Sequence, residues 1–202
     1  MAKSQKNGGD TVVLIIGMAV VTFIFSLYHF VRFKNQYLTG PHVRRVFDMG
    51  SNWRTMLETG AIALIYVIVA WVLYSQSPST LFLTVPPGLY LLNWAGKIQA
   101  RAFLGVVVDN QKGEILFMNS PDVLDMMDYV MVLPALRKYG AFDSVPLADV
   151  QWITRQAGKS VFLHGAFGSR RINFSNKLKR DECIHLLTQG GNKIRVTADH
   201  GL

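Results

Sequence analysis

Residues 59–96 form a run of 38 positions without one Asp, Glu, Lys or Arg: TGAIALIYVIVAWVLYSQSPSTLFLTVPPGLYLLNWAG. No ordinary buried helix of a water-soluble domain is this long and this apolar. Crossing a hydrocarbon core of roughly 30 Å takes about 20 helical residues. The run is therefore too long for one crossing and long enough for two short ones. Its polar break, Ser75-Gln76-Ser77-Pro78-Ser79, reads as a tight turn. The pattern predicts a helical hairpin with arms at about 59–75 and 79–96. Pro86-Pro87-Gly88 in the second arm should kink or interrupt the helix, so that arm either crosses or dips in and returns.

Upstream, residues 11–31 also lack Lys, Arg, Asp and Glu and predict a transmembrane helix. A secretory signal peptide is the competing reading. However, the apolar run exceeds the usual length of about 7–15 residues, and it ends in Tyr28-His29-Phe30-Val31-Arg32 rather than at a small-residue cleavage site. His29, near the end of that helix, reads more readily as an interfacial histidine than as part of an ion pathway. The loop that follows carries Arg32, Lys34, Arg44, Arg45 and Arg54 against Asp48 and Glu58. Short loops rich in Lys and Arg stay in the cytoplasm, which puts the N-terminus outside. Lys97 and Arg101, just past the hairpin, bring the rest of the chain back inside. A single crossing by 59–96 would instead leave the remainder outside. Residues 42–57 are expected as an amphipathic helix on the membrane surface, with Val43, Val46, Phe47 and Trp53 toward lipid.

Charge supports this division. Residues 1–97 hold eight basic and three acidic side chains, and the remainder thirteen and ten, within a total of +8. The excess lies near the bilayer, which favours topology and anionic lipid over nucleic acid as its meaning. The single cysteine, Cys183, excludes a disulfide within the chain and a cysteine-only metal cluster.

From Arg101 onward the pattern becomes that of a small α+β domain. Residues 102–108 and 113–118 are β-like runs joined by Asp109-Asn110-Gln111-Lys112-Gly113, a hairpin connection. Ser120-Pro121 starts a helix that runs to Pro134. On its flank Asp122, Asp125 and Asp128 read as a solvated face, with cation binding the rarer alternative. Three further β-like runs cover 145–152, 159–164 and 170–174. Ser175 or Asn176 then caps a helix over 177–189, stopped by Gly190-Gly191. Residues 192–202 read as a frayed tail. The fold expected is thus an α-helical membrane region of three transmembrane helices in 1–100, followed by a cytosolic α+β domain in 101–202. Residues 102–189 are expected to fold once separated from the membrane part.

The residues offer little catalytic chemistry. Gly158-Lys159-Ser160 ends like a phosphate-binding loop, but the first glycine of that motif would fall at Ile153. Asp181, Cys183 and His185 alternate along a helix, and positions two apart point away from each other. No catalytic, cofactor or metal residue is assigned. The positive signal is a strand-to-helix corner with five basic side chains, Arg170, Arg171, Lys177, Lys179 and Arg180, interleaved with Phe167 and Phe174. It reads as a site for anionic lipid headgroups, as a protein-docking surface, or as a solvated sheet edge kept from pairing by charge.

The succession VPLADVQWI, KSVFLHG, SRRINF and KLKRDECIHLL resembles the latter half of a bacterial pleckstrin-homology-like domain. That family implies a small bent β-sheet closed by a C-terminal helix, often placed after transmembrane helices, and a binding or scaffolding task rather than catalysis. At the level of architecture, three membrane helices with a cytosolic tail are also similar to the exclusion proteins of conjugative plasmids. Those lie in the recipient's inner membrane and block redundant DNA transfer. The function expected is that of a non-enzymatic inner-membrane protein that binds a protein partner through its cytosolic domain. An anionic-lipid module, or a subunit of a membrane enzyme or transporter, are the alternatives. The enzyme or transporter alternative lacks the charged groups within its spans that such work needs. Membrane lipid, a protein partner and further copies of the chain are the partners considered.

Overall fold

The computed structural model describes residues 6–119, 138–155, 158–189 and 194–198. The chain divides into two compact units, Met1–Arg32 with Thr55–Ala100, and Phe33–Arg54 with Arg101–Leu202.

The first unit is helical. It holds most of α1 (Lys6–Tyr37), α2 (Met49–Gln76) and α3 (Leu81–Leu104). Two helices, over Ile16–Tyr37 and Met49–Gln76, are long and apolar enough to cross a membrane. α2 and α3 are joined by Ser77 and a 3-10 turn at Pro78–Thr80, where the polar break was expected. The second arm is not interrupted by its prolines, because α3 runs as one helix through Pro86 and Pro87. Pro86 and Pro87 have no N–H to offer the Phe82 and Leu83 carbonyls; nearby, the Tyr66 hydroxyl donates to the Thr84 carbonyl.

Close approach inside this unit depends on small residues. A Cβ on Gly96 would lie 2.7 Å from the Phe25 Cβ and 2.8 Å from the Ser26 amide, so only glycine lets α3 come this near to α1. Polar groups join α3 to both of its neighbours, α1 through His29 and α2 through Thr59. A His29 ring nitrogen meets the Asn93 amide oxygen at 2.8 Å, and Gln99 Nε2 donates to Thr59 Oγ1 at 3.0 Å. His29, Ser26, Thr59 and Gln99 are all buried, while Phe82 and Leu83 are 87% and 77% exposed.

The second unit carries two four-stranded sheets. β1 (Val43–Val46), β2 (Val106–Asp109), β3 (Glu114–Met118) and β4 (Phe142–Pro146) form the first in that order. β5 (Val150–Arg155), β6 (Ser160–Gly165), β7 (Gly168–Asn173) and β8 (Arg195–Ala198) form the second, in the order β7-β6-β5-β8. All pairings are antiparallel except β5 with β8. Val46, Val108, Ile115, Phe117 and Val145 from the first sheet share one core with Ile153, Val161, Leu163 and Ile172 from the second, and with Cys183 and Leu187 of α4 (Lys177–Gln189).

Several sequence expectations change here. Residues 42–57 are not a surface helix: Val43–Val46 is a strand paired with β2, and Val46 is fully buried. Residues 33–54 thus group with the later part of the chain rather than with a membrane unit ending at residue 100. Because α2 and α3 lie between β1 and β2, a fragment beginning at Ala102 lacks an edge strand and a core valine. Residues 102–104 end α3 rather than beginning a strand. Gly105 makes the switch: its φ is +71, and a Cβ would lie 2.3 Å from the Val46 carbonyl oxygen. The run 145–152 is two strands in different sheets, broken by a 3-10 turn at Leu147–Asp149. The tail expected to fray supplies β8.

Other local readings hold. Asp109 Oδ1 accepts from the amides of Gln111 and Lys112 in the β2–β3 hairpin, and Gly113 takes the positive φ of +67. Asn176 is the cap of α4, accepting from the Lys179 amide at 2.8 Å. The helix expected from Ser120, with Asp122, Asp125 and Asp128, lies outside the described residues, as do Gly190 and Gly191.

Candidate partner-binding face

The five basic residues of the strand-to-helix corner do not share one face. Arg170 and Arg171 are neighbours on β7, so their side chains leave opposite sides of the sheet. Arg170 Nε pairs with Asp143 Oδ2 of β4 at 2.8 Å. Arg171 lies over the Phe162 ring at 5.8 Å and donates to Ser160 Oγ. Arg180 is 2% exposed, donates to the Gly158 carbonyl at 2.5 Å and pairs with Asp181 at 2.8 Å. Lys179 pairs with Glu182 at 2.7 Å. Lys177 is exposed on the first turn of α4. Three of the five cations thus already face carboxylates of this chain, and a fourth stacks on a ring.

The Arg180 interactions also fix the state of Asp181. The Arg180 hydrogen bond, with Arg155 and Lys177 adding attraction, holds the Asp181 carboxyl below the usual carboxylate range. Cys183, one turn on, is fully buried, and burial pushes its thiol up to about 12. A thiol in that state is a packing group, not a nucleophile. Among the described residues no three His, Cys, Asp or Glu side chains gather as a metal site would require.

The most developed surface feature is one the sequence reading passed over. Across the outer side of the second sheet, Trp152 of β5 stands opposite His164 of β6, and their rings stack at 5.1 Å and 16°. Phe162, two residues before His164 on the same strand, also lies near-parallel to the imidazole, at 6.2 Å and 15°. Arg171, opposite Phe162 on β7, ends the row. The histidine is held at both nitrogens, by Ser169 Oγ at 2.7 Å and Thr154 Oγ1 at 3.0 Å. The row therefore crosses three strands, with Trp152 and Phe162 each near-parallel to an imidazole held by hydrogen bonds. Trp152 remains 41% exposed.

Its signal in the sequence was alternation. Ile153, Val161, Leu163 and Ile172 point to the core, which sends Trp152, Phe162, His164 and Arg171 to the other side. Only the register, however, makes them a row. The chain matches no family model, no curated protein and no solved structure.

A second aromatic arrangement surrounds Arg101. Its guanidinium lies 5.7 Å from the Phe33 ring centre and 5.5 Å from that of Phe142, and it donates to the Gly140 carbonyl at 2.8 Å. Burial pulls its pKa down, partly offset by Tyr37. Arg101, expected as a topology signal, is thus also a packing residue.

Proposed function

We propose that this is a non-enzymatic membrane-anchored binding protein, whose α+β unit docks a protein partner through the Trp152–His164–Phe162–Arg171 row. That row is the observation that carries the reading. Interface hot spots are enriched in Trp, Tyr and Arg held rigid before binding, and a pre-stacked row loses little conformational freedom on docking. Adaptor, regulator or exclusion factor of a membrane machine are roles of this kind. The chain crosses the inner membrane three times, with the N-terminus outside and the α+β unit in the cytoplasm. The basic 32–54 segment, Lys97 and Arg101 support that orientation, and the helical hairpin of α2 and α3 supports the third crossing.

A pleckstrin-homology-like build is supported by the order of parts. An antiparallel sheet of β1 to β4 comes first, then β5 to β7, then a closing helix whose Cys183 and Leu187 enter the core. Two features depart from it. The α2–α3 hairpin is inserted between the first two strands, and β8 is added in parallel to β5.

The test is co-purification of the full chain from native membranes, wild type against Trp152→Ala combined with Arg171→Glu. Both residues are exposed, so the variant should accumulate normally. A partner retained by wild type should be lost by the variant. Unchanged retention of every co-purifying protein refutes the row as the docking face. Binding of both forms to anionic vesicles, falling with salt alike, would favour the lipid alternative.

A further inference from the structure

We propose that the corner where α2 and α4 begin is a membrane-surface contact, with Met49, Trp53 and Leu178 in the headgroup layer and Lys177 beside them. The inference rests on the reading of α2 as a membrane span. Inside the α+β unit the two helix starts are pinned together. Asp48 caps α2 by accepting from the Gly50 and Ser51 amides at 3.1 and 3.4 Å. The same carboxylate accepts from the Ser175 amide at 2.5 Å and from the Ser175 hydroxyl. Gly50 lies so near that a Cβ there would be 2.4 Å from the Ser175 Cβ.

From this pinned corner apolar side chains point outward on both helices. Asn52 faces inward at 1% exposure, whereas Met49 and Trp53, four residues apart on one side of α2, are 62% and 58% exposed. On α4, Arg180, Cys183 and Leu187 face the interior. Leu178, two residues before Arg180 and so about 200° around the helix, is 80% exposed. Single exposed apolar residues are ordinary; three in one corner held by a buried carboxylate suggest a covered surface.

The bilayer is the occupant within covalent reach. Trp53 precedes the uncharged run by six positions, a span of at most about 20 Å even fully extended and about 9 Å as helix. Tryptophan favours the level of the headgroups, and lysine places its charge among anionic lipids while its stem covers apolar surface.

The experiment places nitroxide labels in the full chain, reconstituted in phosphatidylcholine–phosphatidylglycerol vesicles, at Leu178→Cys, Asn110→Cys and Ile65→Cys. The buried native Cys183 should take no label, which the unsubstituted chain checks. Collision with a water-soluble nickel chelate should be about threefold lower at position 178 than at the exposed hairpin position 110, and lowest at 65. Equal collision at 178 and 110, with 65 shielded, overturns the contact and leaves the membrane reading standing. A nickel-accessible 65 overturns both. Shielding at 178 that disappears as the protein is diluted in lipid assigns the corner to a second copy and also overturns the proposal.

Discussion

In the unit made of Met1–Arg32 and Thr55–Ala100, many large apolar side chains are exposed and several polar ones are buried, alongside buried Trp94 and Ile98. Phe82, Leu83, Ile65 and Phe23 are exposed, while Ser26, His29, Thr59 and Gln99 are buried. The α+β unit reverses this, with Phe117, Ile153 and Leu163 buried and Arg171, Lys177 and Asn110 exposed. The two units thus distribute apolar and polar side chains in contrasting ways. In water, burial of apolar area drives packing. On the proposed membrane reading, lipid already solvates the apolar exterior, and close packing of small residues and hydrogen bonds across helices would hold the unit together.

Several experiments can break or sharpen that contrast. The largest effect is expected from cutting the chain at Arg101. A 101–202 fragment lacks Val43–Val46, which pairs with β2, and Asp48, which holds Ser175. It should show no cooperative unfolding, and fusing residues 33–54 to it through a glycine linker should restore the transition. Cooperative melting of the bare fragment would show that β1 is dispensable.

Next comes one kind of substitution made in each unit. Phe117→Ala, at a side chain 1% exposed, should cost about 3–5 kcal/mol. Ile65→Ala, at a side chain 62% exposed, should change stability by less than about 0.5 kcal/mol, because lipid replaces the lost contact. Denaturant titration of the reconstituted chain measures both. Similar costs would mean that Ile65 is covered by protein.

Polar deletions should give smaller and again unequal effects. Asp48→Ala removes a cap and both bonds to Ser175 and should cost about 2 kcal/mol. Gln99→Ala removes the bond to Thr59 within the helical unit and should cost about 0.6 kcal/mol. An order opposite to this, read from the same titrations, would argue that hydrogen bonds matter more in the helical unit than in the domain.

The smallest effect is a pH dependence in the α+β unit. The Asp181 carboxyl is held below its ordinary value of 3.8 by Arg180. Its contribution is present above that value and is lost as pH falls through the lower folded one. Its side chain is 42% exposed, so the slope should be slight. Asp181→Asn should flatten the fall in melting temperature below about pH 4; an unchanged acid profile would show that Asp181 does not contribute.

Much of the local structure was legible from residues alone. The uncharged run with its Ser-Gln-Ser-Pro-Ser break placed the turn between α2 and α3, whereas the helices run beyond the expected arms of 59–75 and 79–96, to Met49 at one end and Leu104 at the other. Asn176 and the turn at Asp109 to Gly113 could be placed because caps and turns are satisfied by side chains a few positions away. The candidate site was less legible. Basic residues close in sequence were read as one patch, yet strand alternation and the burial of Arg180 separated them, and a row from three strands took their place.

Sequence determined where charge is absent, where helices can span, and which strand positions alternate, since those follow from the chemistry of neighbouring residues. Tertiary structure decided that Val43–Val46 pairs with a strand that begins 60 residues later, Val46 standing opposite Val106. It also decided that the run from Val145 turns from one sheet into the next, and that Trp152, Phe162, His164 and Arg171 form one row. The physical reason is the same in each case. Pairing register and shared burial are fixed by partners distant along the chain, and short β-like runs such as VRRV and VPLADVQW do not name those partners.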